Sequence, residues 1–239
     1  VSIFVNPTQF GPNEDYLKYP RTPDEDLALC RQHHADAAFL PDVASIYEPD
    51  ASTYVEETSL SAGFCGASRP GHFRGVATVV VKLFNLIQPD FAIFGEKDWQ
   101  QLTIIRRVVR DLFLPIRIEA VPTVREPDGL ACSSRNRYLS PSERAAAPAI
   151  YKALSETAAL AANGETCTAI LRNHLLNLLN AIPNASTDYA EIADEQTLQV
   201  PDHILRPARA LVAVRFPSAR LIDNFPILPP QSHSRHSSP

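Results

Sequence analysis

The chain contains no methionine, not even at its first position, and only one tryptophan in 239 residues. Its four cysteines, Cys30, Cys65, Cys132 and Cys167, lie far apart with no C-x-x-C pair. That spacing argues against a zinc or disulfide framework and reads as reduced intracellular thiols. No apolar run approaches the roughly 18 residues of a membrane span, and the opening VSIFV has neither the length nor the charged flank of a secretion signal. A cytoplasmic protein with no membrane contact is expected. The net charge of −5 excludes a general attraction to nucleic acid or to anionic membrane, so any anion site must be local. No residue set reads as a protein-held metal site. What is present, 45% hydrophobic residues, suffices for a sizeable core in one large domain or two modest ones.

The first half alternates strand and helix. VSIFV is a continuous apolar run ending in the polar Asn6, Pro7 and Gln9, the pattern of a buried parallel strand meeting its loop. The stretch Thr22 to Glu25 reads as a capping box with proline at the first helical position, opening a helix to about His34. Strands are expected at Ala37 to Pro41 and, briefly, at Thr53 to Glu57. GHFRGVATVVVKLFNLI reads as helix despite its valines, because Val76, Val80, Leu83 and Ile87 recur at helical spacing. FAIFG (Phe91 to Gly95) reads as a buried strand, Lys97 to Phe113 as a helix, and Ile116 to Pro122 as a strand. Such alternation implies a parallel sheet covered on both faces.

Near Val124 the character changes. A polar stretch with a P-D-G turn leads to a second capping box, Ser140 to Glu143, and a helix to about Asn163 with Gly164 as its stop. Another helix is expected over about Thr166 to Leu179, then alternating strands at YAEIA, ALVAVRF and ARLID. Helices followed by strands make a small α+β domain. The tail, 228–239, has the composition of a disordered segment.

Four stretches carry the groups that chemistry needs. In FGEKDWQQL, Lys97 stands where a strand ends and a helix begins, a junction that favours anions; a surface lysine beside a capping Asp98 is the plainer reading. In CSSRN, Ser133, Ser134, Arg135 and Asn136 offer hydroxyls, turn N–H groups and a fork-shaped cation suited to a polyphosphate, or else an ordinary capped loop. In VNPTQF, Asn6 and Gln9 follow a strand in the same topological position and suit a hydroxyl- or carboxylate-bearing ligand; the alternative is an Asx turn. In SRPGHFRGV, Arg69, His72 and Arg74 surround a Pro-Gly turn, where a lone histidine is more often structural than catalytic. His33 and His34 end a helix, where a cation suits the dipole.

Together with YPRTPDEDL, GASRPGHFRGVATVVVKLFNLIQPD, DGLACSSRNRYLS and ARLIDN, these stretches resemble in order and spacing the pantoate–β-alanine ligase family of the nucleotidyltransferase superfamily. The resemblance runs from Val1 to Asn224. It implies a Rossmann-like parallel sheet over residues 1–123, binding nucleotide and pantoate, and a smaller α+β lid domain over 124–227. It implies a two-step reaction: pantoate attacks the ATP α-phosphate, then the β-alanine amine displaces AMP. Carried over by position, Gln9 and Gln101 would bind pantoate. Asn6, Gly95, Lys97, Asp98, Val124, Ser133, Ser134 and Arg135 would surround ATP. Of these Lys97, Ser133, Ser134 and Arg135 would contact the reacting phosphates, with Mg²⁺ assisting. Arg69 and His72 would lie near the site and the interface of a homodimer. Family members carry one further strand and a H-x-G-H-like loop ahead of the point matching Val1. The resemblance therefore makes VSIFV the second strand of the sheet, with half the phosphate clamp upstream and the chain by itself an expected inactive fragment. The alternative is a non-catalytic module that binds nucleotide or dimerises.

Overall fold

The protein is seen here as a computed structural model that describes residues 1–12 and 14–230. The disordered tail expected at 228–239 therefore lies mostly outside the described residues. The α/β expectation holds: a sheet of β1 and β2 is separate from an antiparallel sheet of three strands. In chain order the elements are α1 (Pro23–Gln32), α2 (Val43–Ile46), α3 (Cys65–Ser68), α4 (His72–Ile87), β1 (Phe91–Gly95), α5 (Trp99–Asp111) and β2 (Arg117–Val121). Then follow α6 (Pro141–Ala146), α7 (Ala149–Ala162), α8 (Thr168–Asn180), β3 (Ser186–Asp194), β4 (Ala208–Arg215) and β5 (Arg220–Ile227). The chain divides into two compact units, Val1–Ala92 with Thr103–Glu119, and Ile93–Leu102 with the residues from Ala120 onward.

In the first unit α4 is the main core element. It buries Phe73, Val76, Ala77, Thr78, Val79, Val80 and Phe84, so burial at helical spacing overrides the strand preference of its valines. Several local expectations need correction. VSIFV forms a single parallel bridge, Ser2 with Phe39, rather than a buried strand. It is tied to the neighbouring segment by Ile3 N–H on Phe39 O (2.9 Å), Phe39 N–H on Val1 O (2.8 Å) and the Val1 ammonium on Ala37 O (2.9 Å), and Val1 is 66% exposed. Residues 53–57 form no strand. The Thr78 hydroxyl on α4 meets both the N–H and the C=O of Val55, at 3.0 and 3.4 Å, so that backbone is satisfied without a strand neighbour. Thr22 does not cap α1; its hydroxyl lies 3.5 Å from Asp26 Oδ1 instead. The start of α1 rests on Pro23 and on Asp24, Glu25 and Asp26 in its first turn, which suit the helix dipole. β1 is not buried on both faces either: Phe91 and Ile93 alternate as exposed residues.

In the second unit the reading of strands at YAEIA, ALVAVRF and ARLID matches β3, β4 and β5. β4 is central and buried from Ala208 to Val214. Ala208, Ala210, Val212 and Val214 join Ile150 and Leu154 of α7 and Leu171, Leu175 and Leu179 of α8 in one apolar core. The Ser140 capping box is present in full: Ser140 N–H donates to Glu143 Oε2 at 2.7 Å and Glu143 N–H to Ser140 Oγ at 3.4 Å. The one helix expected to Asn163 is two. Pro148 has no N–H to return to Arg144, so the ladder breaks there although Ala147 and Pro148 keep helical dihedrals.

Candidate active site

In the first unit, Asn6 is 2% exposed and acts as a hub. Its Oδ1 accepts from Thr8 N–H (3.3 Å), Thr8 Oγ1 (2.9 Å) and Tyr47 Oη (2.8 Å). Its Nδ2 donates to Gly75 O (3.1 Å) and Gln9 Oε1 (3.3 Å). Both donor hydrogens of the carboxamide are therefore used within the protein. The bond to Thr8 N–H is the Asx cap of the 3₁₀ turn Pro7–Gln9. Gly75 makes the seat for that turn. A Cβ on it would lie 2.3 Å from Thr8 O, so only glycine lets the turn rest on α4.

Gln9 is held from a second side. His72 Nδ1 lies 2.8 Å from Gln9 O, and Arg69 Nη1 lies 3.0 Å from His72 Nε2. A guanidinium only donates, so Nε2 is the acceptor and Nδ1 carries the hydrogen given to Gln9. Arg69 in turn grips Glu14 through Nε and Nη2, both at 2.6 Å. Burial pushes the Glu14 carboxyl up, but the Arg69 bonds outweigh it and leave the group below its ordinary range. Tyr47 goes the other way: burial raises its phenol against the bonds from Thr8 and Asn6. Asn6, Gln9, Arg69 and His72 are thus brought together. Tyr47 and Glu14 were missed, because nothing in the sequence near them marks a partner some 40 or more residues away.

In the second unit, Gly95 ends β1 and residues Glu96–Asp98 form a 3₁₀ turn that leads straight into α5. Gly95 has φ −75°, open to any residue, and a Cβ there would meet nothing within 4 Å. Neither backbone nor packing requires glycine, and the space over its Cα is open. Gln101 lies half-buried in the first turn of α5. The turn is fixed through its carbonyls. Asn224 Nδ2 donates to Glu96 O at 2.9 Å and to Lys97 O at 2.8 Å. Arg209 donates to Asn224 Oδ1 (2.7 Å) and Glu96 Oε2 (3.1 Å) and stacks 3.4 Å from the Trp99 ring centre. Trp99 Nε1 donates to Glu195 O at 3.0 Å.

Val124 is exposed at the base of a short hairpin, its carbonyl accepting from Cys132 N–H at 2.9 Å. Ser133 follows and caps the 3₁₀ turn Ser134–Tyr138, its Oγ accepting from Arg135 N–H at 3.3 Å. Asn136 ties that turn back to Glu126 Oε1 (2.9 Å) and Ala131 O (3.1 Å). Arg125 anchors the hairpin by a paired bond to Asp223, at 2.7 and 2.9 Å, beneath which it lies 4.2 Å from the Tyr151 ring centre. Arg125, Arg209 and Asp223 were not singled out from the sequence. The available signal was the polar Asp-Asn pair closing the apolar ARLIDN. Among the described residues no group of three or more His, Cys, Asp or Glu is arranged to hold a metal ion, and no helix is long and apolar enough to cross a membrane.

Comparison with known proteins adds to this geometry. A family model for pantoate-beta-alanine ligase matches residues 1–226. The chain is 52% identical over 225 residues to a pantothenate synthetase of Desulfovibrio desulfuricans, covering 94% of this chain and 80% of the relative. It is 51% identical over 224 residues to that of Thermotoga neapolitana, with the same coverage. Among solved structures, a pantothenate synthetase from Thermus thermophilus superposes with a TM-score of 0.92 at 48% identity, over 95% of this chain and 83% of that one. A pantoate-beta-alanine ligase from Francisella tularensis, complexed with beta-gamma ATP and beta-alanine, gives 0.73 at 32% identity, over 94% and 77%.

Proposed function

From the premise that the chain belongs to the pantoate–β-alanine ligase family, we propose that it joins pantoate to β-alanine at the expense of ATP. A pantoate carboxylate oxygen attacks the α-phosphorus and the bond to the β-phosphate breaks, giving pantoyl-adenylate and pyrophosphate. The β-alanine amine then attacks the acyl carbon, loses a proton and expels AMP, leaving pantothenate. The observation that carries this reading is the match along 94% of the chain at 52% identity to a ligase. The alternative of a non-catalytic module is not favoured.

The residue roles are those the family resemblance implies, and the local chemistry supports them. Lys97 supplies a point charge, and Arg135 a fork, to the oxygens on which charge builds as pyrophosphate leaves. Ser133 and Ser134 add hydroxyl and turn N–H groups. The bare Cα of Gly95 gives the nucleotide close approach, with Asp98 on the ribose and Val124 beside the base or sugar. Gln9 and Gln101 hold the hydroxyls and carboxylate of pantoate with neutral amides. Asn6 acts by holding Gln9 and the loop edge, since its own carboxamide is engaged. Mg²⁺ would enter with the nucleotide and would offset the charge that builds on the phosphates. A homodimer and a cytoplasmic setting belong to the same reading; four cysteines outside any disulfide suit a reducing compartment.

The test is product analysis with the full-length protein. AMP release should require ATP, pantoate and β-alanine together, and pyrophosphate should appear from ATP and pantoate alone. AMP release without pantoate, or none with all three substrates, would refute the reading.

A further inference from the structure

Asp223 and Asn224 are neighbours on β5, so their side chains leave opposite faces of the sheet. The register makes this explicit. Phe225 stands opposite Ala210 of the helix-covered core, whereas Asn224 stands opposite Leu211 and looks the other way. On the helix-covered face Asp223, 5% exposed, takes both arms of Arg125. Arg125 also donates to Gly129 O at 3.1 Å, and so sets the hairpin that delivers Ser133 to Arg135. On the opposite face Asn224, 3% exposed, uses both amide hydrogens on the carbonyls of Glu96 and Lys97. Its oxygen is held by Arg209, itself clamped between Trp99 and Glu96. One dipeptide thus supports two stretches that lie far apart in the chain.

We propose that Asp223 and Asn224 are positioning residues for adenylation, setting the Lys97 turn and the Ser133–Arg135 turn from a common strand. The inference rests on the reading that those turns handle the ATP phosphates. Fixing two successive carbonyls fixes the peptide planes that aim Lys97, and a displacement of 1 Å in such a group costs up to about a hundredfold in rate. Arg209 contributes rigidity, since its stacked and paired guanidinium leaves Asn224 only one orientation.

The experiment is a double-mutant cycle on the rate of pyrophosphate release from ATP and pantoate, in the full-length protein. Asn224→Asp keeps the acceptor for Arg209 and loses both donors to the turn. In the parent it should slow release about tenfold while shifting the emission of Trp99. In a Lys97→Ala background it should slow release by less than about twofold, because the group being aimed is gone. A purely structural role predicts the same loss in both backgrounds, and that result overturns the proposal. So does an unaffected rate in Asn224→Asp when Lys97→Ala is impaired. If Lys97→Ala itself is unimpaired, the phosphate assignment fails first and the positioning role falls with it. Should Asn224→Asp not fold, Asp223→Asn combined with Arg135→Ala gives the equivalent cycle for the other face, with the same outcomes.

Discussion

The loop of Asn6 and Gln9 and the turn of Lys97 are both held by side chains reaching in from distant elements, but the chemistry of the support differs. Asn6 meets a threonine, a tyrosine and two carbonyl or amide groups, all neutral. Around the Lys97 turn the frame is charged, with Arg209 on Glu96 over the Trp99 ring; behind the Ser133–Arg135 hairpin Arg125 pairs with Asp223 over the Tyr151 ring. The neutral set around Asn6 suits the proposed pantoate subsite, whose ligand brings hydroxyls and one carboxylate, while His72 and the Arg69–Glu14 ion pair hold Gln9 from the other side. Phosphates demand cations, and a cation is useful only if it cannot collapse onto a nearby carboxylate. The carboxylates of Glu96 and Asp223 are each occupied by an arginine. Breaking a support should reveal which of the proposed ligands it serves.

The largest effect is expected at the charged turn. Lys97→Ala should slow pantoyl-adenylate formation by about a hundredfold or more, the scale of one lost electrostatic stabiliser, read as pyrophosphate release. Arg135→Lys should also impair it, because a fork is replaced by a point charge; an unchanged rate would make Arg135 a loop residue only. Next comes the seat of the Asn6–Gln9 loop. Gly75→Ala places a methyl 2.3 Å from Thr8 O and should cost about 1–3 kcal/mol of stability, measured by urea unfolding. Because it shifts Gln9, it should also raise the pantoate requirement more than that for ATP. Gln9→Leu sharpens the same contrast: the KM for pantoate should rise about tenfold with that for ATP little changed, and equal losses for both would merge the two subsites.

The smallest effect concerns pH and lies in neither region. The Glu143 carboxyl, bonded by the Ser218 hydroxyl and the Ser140 N–H, is lowered from 4.5 to about 2. Its folded value lies below its unfolded one, so the unfolded chain takes up the proton first as pH falls. This contribution to stability is complete above 4.5 and is lost as pH falls toward 2. Urea midpoints measured at falling pH should therefore drop less steeply in Glu143→Gln than in the parent.

Much of the fold follows from local sequence alone. The Ser140 capping box, the Gly164 stop, α4, β1, β2 and the three strands of the second unit all rest on short-range spacing and caps, and these elements appear, although β1 is exposed at alternate residues and β4 is buried from Ala208 to Val214 instead of alternating. Candidate site residues were visible as chemistry in turns: Asn6 and Gln9, Lys97, and Ser133 to Arg135. What the sequence could not decide was every property that depends on a distant partner. VSIFV has the composition of a buried strand but forms one bridge, to Phe39; Val55 satisfies its backbone on the Thr78 hydroxyl rather than on a strand; Thr22 turns to Asp26. The supports of the candidate site are of the same kind. Asn224 reaches across 127 residues to Lys97 and Asp223 across 98 to Arg125, separations at which composition and periodicity carry no information. A hydrogen bond between such residues exists only once the intervening chain has folded, because its geometry is set within tenths of an ångström by backbone that neither residue controls.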